Sequence, residues 1–402
     1  MADVGHYGAM GEKEGISPPT IRVILIRDYI LSFFAFFVFL IAFNSLIPTL
    51  PLYLARLGSK EGEIGVLVGT IGVASLVSRL LVGRVLAKHP ERLVMMGGAT
   101  LFALSFLALI VFRPFWPFFV VRLFQGIAFA SLDTAAIAYA IRIVPEAYRA
   151  RGITYFLMAT SLASATAAVS SVFVVNEYGF TVLLLACTGL SACALLLSWK
   201  LKEEAVRPVV TSQVKNALLF EPKILAPAVV SFLFFSSWAG VAAFFPLYCV
   251  KCGVANPGYF FAAASVMIIL VRVLGARAFD MYSKEKIIPT FVFVSTVGFV
   301  ILSFSSTLPM FILVGVLMGA SLAFLIPVTM AYALEYAGSS DGSTVGTYQA
   351  SMDLGLALGP VTMGIIVPIM GYRVTFLCLA LASLVSLSYF RFYLRKKCRV
   401  RA

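Results

Sequence analysis

The chain has 402 residues, 61% of them hydrophobic and only 12% charged, with a mean hydropathy of +0.99. So little charge cannot coat a soluble domain, which excludes a soluble globular protein and leaves a bilayer as the natural solvent. The net charge of +13 does not indicate nucleic acid, because the basic residues sit in short joins between apolar runs, a pattern of membrane topology.

In chain order, residues 1–20, within an expected tail of 1–27, are polar and glycine-rich and carry Asp3, Glu12 and Glu14. They lack a basic segment followed by a short apolar core, so they do not read as a cleaved signal peptide and are expected to form a tail. Spanning a bilayer takes about 20 mainly apolar residues. Such runs are expected at 29–54, 64–86, 93–112, 117–143, 152–175 and 179–199, then, after a charged stretch, at 224–250, 258–281, 287–306, 309–336, 344–370 and 372–393. The reading is therefore an all-α integral membrane protein of twelve transmembrane helices. It comprises a six-helix bundle at 28–199, a linker at 200–222, a second bundle at 223–394 and a basic tail at 395–402.

Lys and Arg set the orientation. One series of loops holds Arg84, Lys88, Arg92, Arg149, Arg151, Lys200, Lys202, Lys284 and Lys286, and the C-terminal end adds Arg391, Arg395, Lys396, Lys397, Arg399 and Arg401. The opposite loops hold Arg56, Lys60, Arg113, Lys251 and Arg373. The positive-inside rule predicts a multi-pass protein of the cell (inner) membrane with both termini and the linker in the cytoplasm.

The two halves repeat each other. Pro51-Leu52-Tyr53 with Gly58 recurs as Pro246-Leu247-Tyr248 with Gly253, 195 residues on. At an offset of 193, Arg79 and Arg84 recur as Arg272 and Arg277, Ala138-Tyr139-Ala140 as Ala331-Tyr332-Ala333, and Gly126 as Gly319; Gly179 matches Gly371 at 192. Each repeat has an even number of helices, so the halves are parallel and related by an axis along the membrane normal. In such folds a substrate sits near mid-membrane between the halves, which rock against each other.

Six plus six helices in parallel halves, joined by a charged loop, resemble the major facilitator superfamily over nearly all of the chain after Arg27. Three local motifs carry the resemblance. The family's Gly-x3-Asp-Arg-x-Gly-x-Arg-Arg loop after the second helix is degenerate here: Gly83, Arg84, Lys88 and Arg92 match, while Ala87 replaces the acid and Pro90 the second glycine. The second half has Arg272, Arg277 and Asp280 in this region. The resemblance implies that these residues form a cytoplasmic gate. In the fourth helix, Arg122, Gln125 and Gly126 resemble the Arg-x-x-Gln-Gly motif of proton-driven members, especially the twelve-helix drug/proton antiporters. In the eleventh, Gly355, Gly359, Pro360 and Gly364 resemble an antiporter Gly-x3-Gly-Pro-x3-Gly pattern that normally lies in the fifth helix. With Gly126, these small residues are expected to serve close helix packing and switching.

Catalytic constellations, phosphate-binding loops and metal clusters are missing from the sequence, so neither enzyme activity nor a cofactor is expected. Two embedded acids, Asp133 and Asp353, can bind and release protons during a cycle, and the intramembrane Arg122, a functional candidate by default, joins them as a proton-coupling candidate. Asp353 is favoured as the proton-linked acid; a structural hydrogen bond is the competing reading for either. Asn44, Gln125, Trp238, Tyr348 and Gln349 are cavity candidates. The aromatic content favours an amphipathic or hydrophobic cargo. The function expected is secondary active transport by alternating access, as proton-coupled efflux by a monomer. An uptake symporter or facilitator, a lipid flippase and a non-transporting receptor are the alternatives.

Overall fold

The computed structural model describes residues 26–112, 115–145, 148–202, 224–274, 282–337 and 342–401. The regular structure among these is helical. This follows from the sequence: in hydrocarbon a helix satisfies its own backbone, whereas an open strand cannot. The first half comprises α1 (Arg27–Arg56), α2 (Glu61–Leu86), α3 (Glu91–Val111), α4 (Phe115–Ile143), α5 (Arg149–Tyr178) and α6 (Phe180–Trp199). The second begins with α7 (Leu225–Lys251), α8 (Gly258–Leu274), α9 (Lys284–Phe304) and α10 (Leu308–Ala337). A last helical run, Gly342–Arg401, breaks at Gly371 (φ 74°, ψ 168°) into two limbs, 342–370 and 372–401, here α11 and α12. Ten runs, the last one double, are long and apolar enough to cross a membrane; the described part of α8 is shorter. Most of the expected 200–222 linker lies outside the described residues, as does most of the 1–27 tail. The basic segment 395–402 continues α12 as helix to Arg401.

The internal repeat is written into the backbone. Gly179, between α5 and α6, has φ 86° and ψ 168°, nearly the geometry of Gly371 between α11 and α12. Gly58 and Gly253, which end α1 and α7, have φ of 83° and 81°. A positive φ is costly for a residue with a Cβ, so glycine stands at both copies of each turn.

Packing repeats as well. Within the halves, α2 packs on α4 as α8 does on α10, and α3 on α4 as α9 does on α10. Between the halves, α2 packs along the last helical run, and α5 packs along α8. Because α2 corresponds to α8 and α5 to α11, these two seams are copies of one another. Gly126 of α4 lies against Ala74 and Ile71 of α2, and its repeat partner Gly319 of α10 lies against Ala264 of α8. The core is rich in aromatic pairs, such as Phe36 stacked on Phe156 and Phe245 against Phe260.

One pair of contacts repeats with its charges exchanged. Glu91, opening α3, pairs with Arg142 at the end of α4 at 2.9 Å. At positions 193 residues later, Lys284 opens α9 and pairs with Glu335 near the end of α10 at 2.7 Å. Both pairs stand on the face that holds the start of α1, here the terminal face.

Candidate functional site

The α2–α11 seam is lined by glycine. Gly62, Gly65, Gly69 and Gly72 follow one face of α2 at three- and four-residue spacing. A Cβ on Gly65 or Gly69 would run into the carbonyl oxygens of Pro360 or Ala357, and Gly364 in turn abuts Glu61 and Gly62. Gly355 and Gly359 face the other way, against Phe232 and Ser236 of α7. Small residues of this kind let backbones approach within a membrane.

Where this stripe ends, toward the terminal face, the seam becomes ionic. Arg79 of α2 donates through Nε to Asp353 Oδ2 of α11 at 2.9 Å. Its Nη1 donates to Asp133 Oδ2 of α4 at 2.8 Å and to Thr134 Oγ1 at 3.4 Å. The side chains of Arg79, Asp133 and Asp353 are 20%, 15% and 7% exposed. One guanidinium thus holds a carboxylate from its own half and one from the other. Arg79 was visible in the sequence as half of a repeated arginine pair, yet its site role depends on the α2–α11 pairing that only the fold supplies.

A cavity of about 180 Å³ adjoins the cluster, away from the terminal face. It is lined by residues of α1, α2, α4, α7 and α11, including Phe43, Ser75, Arg122, Phe129, Trp238 and Pro360. Phe129 stands between cavity and charges: the Arg79 guanidinium lies 5.9 Å from its ring centroid, and Phe43 stacks on it at 4.2 Å. Arg122 is buried, at 4% exposure. Its Nε donates to Leu67 O at 2.9 Å, its Nη1 to Gln125 Oε1 at 2.8 Å, and its Nη2 to Val68 O at 3.5 Å.

The other sequence candidates fall in several places. Trp238 lines the cavity. Gln125 lies behind Arg122 as its hydrogen-bond acceptor. Asn44 donates to Leu40 O of its own helix, and Tyr348 sits in a buried knot with Thr329 Oγ1 at 2.6 Å and Ile326 O at 3.0 Å; neither is a lining residue. Gln349 is half-buried and also outside the lining. Of the gate residues, Gly83 and Arg92 are half-buried, and Arg84 and Lys88 are exposed. Arg272 of α8 reaches across the second seam to Leu157 O of α5 at 3.1 Å. Arg277 and Asp280 lie outside the described residues.

Two pseudo-symmetric helical bundles that share a cavity, with an ion pair bridging them, have the arrangement of membrane transporters built from parallel repeats. The chain belongs to the Major Facilitator Superfamily, whose family model it matches over residues 32–298 and again over 258–401. It is 22% identical to an uncharacterised MFS-type transporter of Methanocaldococcus jannaschii, over 86% of this chain and 92% of that one. It is 21% identical to the staphylopine export protein of Staphylococcus aureus, over 81% and 85%. Among solved structures, the nucleoside transporter NupG superposes with a TM-score of 0.77 at 15% identity, covering 91% of this chain and 98% of that one.

Proposed function

We propose that the protein is a monomeric secondary active transporter that uses a proton gradient to export a small amphipathic molecule by alternating access, with both termini in the cytoplasm of the cell membrane. The observation that carries this reading is the Arg79 cluster. One guanidinium balances one carboxylate, and a proton is the natural balance for the second. Because Asp353 belongs to the other half, a proton arriving there weakens a bond that must break when the halves rock apart. A titratable group in a bundle interior is the usual means of linking protons to movement. The export direction is supported by the relative named as an exporter.

The test is transport in proteoliposomes under an imposed pH gradient, with Asp353→Asn in parallel. Wild-type flux of an amphipathic cargo should follow the gradient, and Asp353→Asn should exchange cargo without responding to it. Wild-type flux indifferent to the gradient would overturn proton coupling and leave a facilitator.

A further inference from the structure

Arg122 presents chemistry that the proton cluster does not use. It lines the cavity, and among the described residues no carboxylate pairs with it; its partners are two main-chain carbonyls and a side-chain amide oxygen, all neutral. Beside it, Nε2 of Gln125 is buried without an acceptor among the described residues, and Gln125 itself is fully buried. Arg122 Nη2 has only a long contact, 3.5 Å, to Val68 O. The rest of the lining is largely apolar and includes the aromatic side chains of Phe43, Phe129 and Trp238. This end of the cavity therefore carries the positive charge of Arg122 within an otherwise largely apolar lining.

Buried charge is costly unless it is paired, and a guanidinium pairs best with a planar oxyanion through two parallel N–H bonds. Asp133, the carboxylate of the Arg79 cluster that shares a helix with Arg122, is too remote to serve. Asp133 lies 11 residues beyond Arg122 on the same helix, roughly 16 Å along its axis. At that separation the attraction is about a quarter of that of a pair at 4 Å, and Phe129 stands between.

We infer that Arg122 is the anion-binding end of the substrate site, and that the cargo is a compact amphipathic anion: a carboxylate or similar planar oxyanion at Arg122, with an aromatic or aliphatic body against Phe43, Phe129 and Trp238. This rests on the transporter reading and narrows its cargo from amphipathic molecules in general to anionic ones. It also gives the two buried arginines separate tasks, Arg79 holding the halves together and Arg122 holding the cargo.

The test is calorimetric titration of the purified full-length protein in detergent at pH 7.5 with three matched probes: 2-naphthoate, 2-naphthamide and 2-naphthylmethylammonium. The expected result is binding of the carboxylate at least about tenfold tighter than the amide, as for a charge-assisted hydrogen bond, with the ammonium weakest. Arg122→Gln should bring carboxylate and amide to similar affinity, and Arg122→Lys should restore part of the preference. Equal or tighter binding of the amide or ammonium to wild type would overturn the inference whether or not the variants fold. So would a carboxylate preference that survives Arg122→Gln in a folded variant, or no binding by any probe. Binding without a gradient is independent of proton coupling, so anion selectivity and proton linkage can fail separately.

Discussion

The two seams between the halves are copies in packing and opposites in chemistry. Along α2–α11, Arg79 finds Asp353 across the seam and Asp133 within its own half. Along α8–α5, the corresponding Arg272 takes a main-chain carbonyl of Leu157, and Ser265 donates to Ser164 at 3.0 Å. By the repeat offset, Asp133 corresponds to Ile326, and Asp353 to Thr160 or Ser161. Duplication thus supplied two matching hinge surfaces, and divergence placed both acids on one of them. The lesson is that the repeat explains how the halves meet, whereas the departures from it locate the ion pair that joins them.

That contrast can be attacked seam by seam. Arg79→Leu should have the largest effect, because it leaves two carboxylates facing each other without a cation; breaking such a buried pair costs about 3–5 kcal/mol. Thermal unfolding in detergent should show a large loss, and proteoliposome flux should fall at least about a hundredfold. Arg272→Leu should retain most flux, and an equal collapse there would show that the seams share the work. Next comes Gly69→Leu, whose side chain would meet Ala357 O; overpacking of this kind costs about 1–3 kcal/mol and should hold the seam apart, so cysteines across it should cross-link more slowly. Asp133→Asn should be milder than Asp353→Asn in its effect on gradient response, because it loosens a contact inside one half; the reverse order would transfer the coupling role to Asp133. The smallest effect is expected from Lys284→Ala, since the exposed pair with Glu335 should contribute no more than about 1 kcal/mol in a double-mutant cycle.

The architecture was legible because its signals are local. Apolar runs of spanning length mark the helices, and the matched glycines at Gly58/Gly253 and Gly179/Gly371 mark their turns. Asp353 and Asp133 could be singled out because an acid inside an apolar run is costly unless it is paired or hydrated. Their partner could not. Arg79 stands five residues before Arg84 and reads naturally as one more basic residue near a loop; its meaning depends on which helix lies opposite. Tyr348 shows the converse. It reads as a cavity residue from its polarity, yet its hydroxyl is fully engaged by Thr329 and Ile326, contacts that join α11 to α10. The charge-exchanged pairs Glu91–Arg142 and Lys284–Glu335 were also invisible to a search for identical residues, because position is retained while sign is reversed.

The double grip on Arg79 has a consequence for turnover. Asp133 belongs to the same half as Arg79, so in the proposed rocking cycle the pair travels together when the halves separate, while Asp353 is left behind. The guanidinium is never stripped of counter-charge at the top of the barrier; it passes from two partners to one. A transporter latched by a single cross-half ion pair would have to expose a cation without a counter-charge inside the bundle on every cycle, and its opening rate would fall steeply. In the proposed cycle the inner partner acts as an escort, keeping a counter-charge on the guanidinium while the cross-half bond is released.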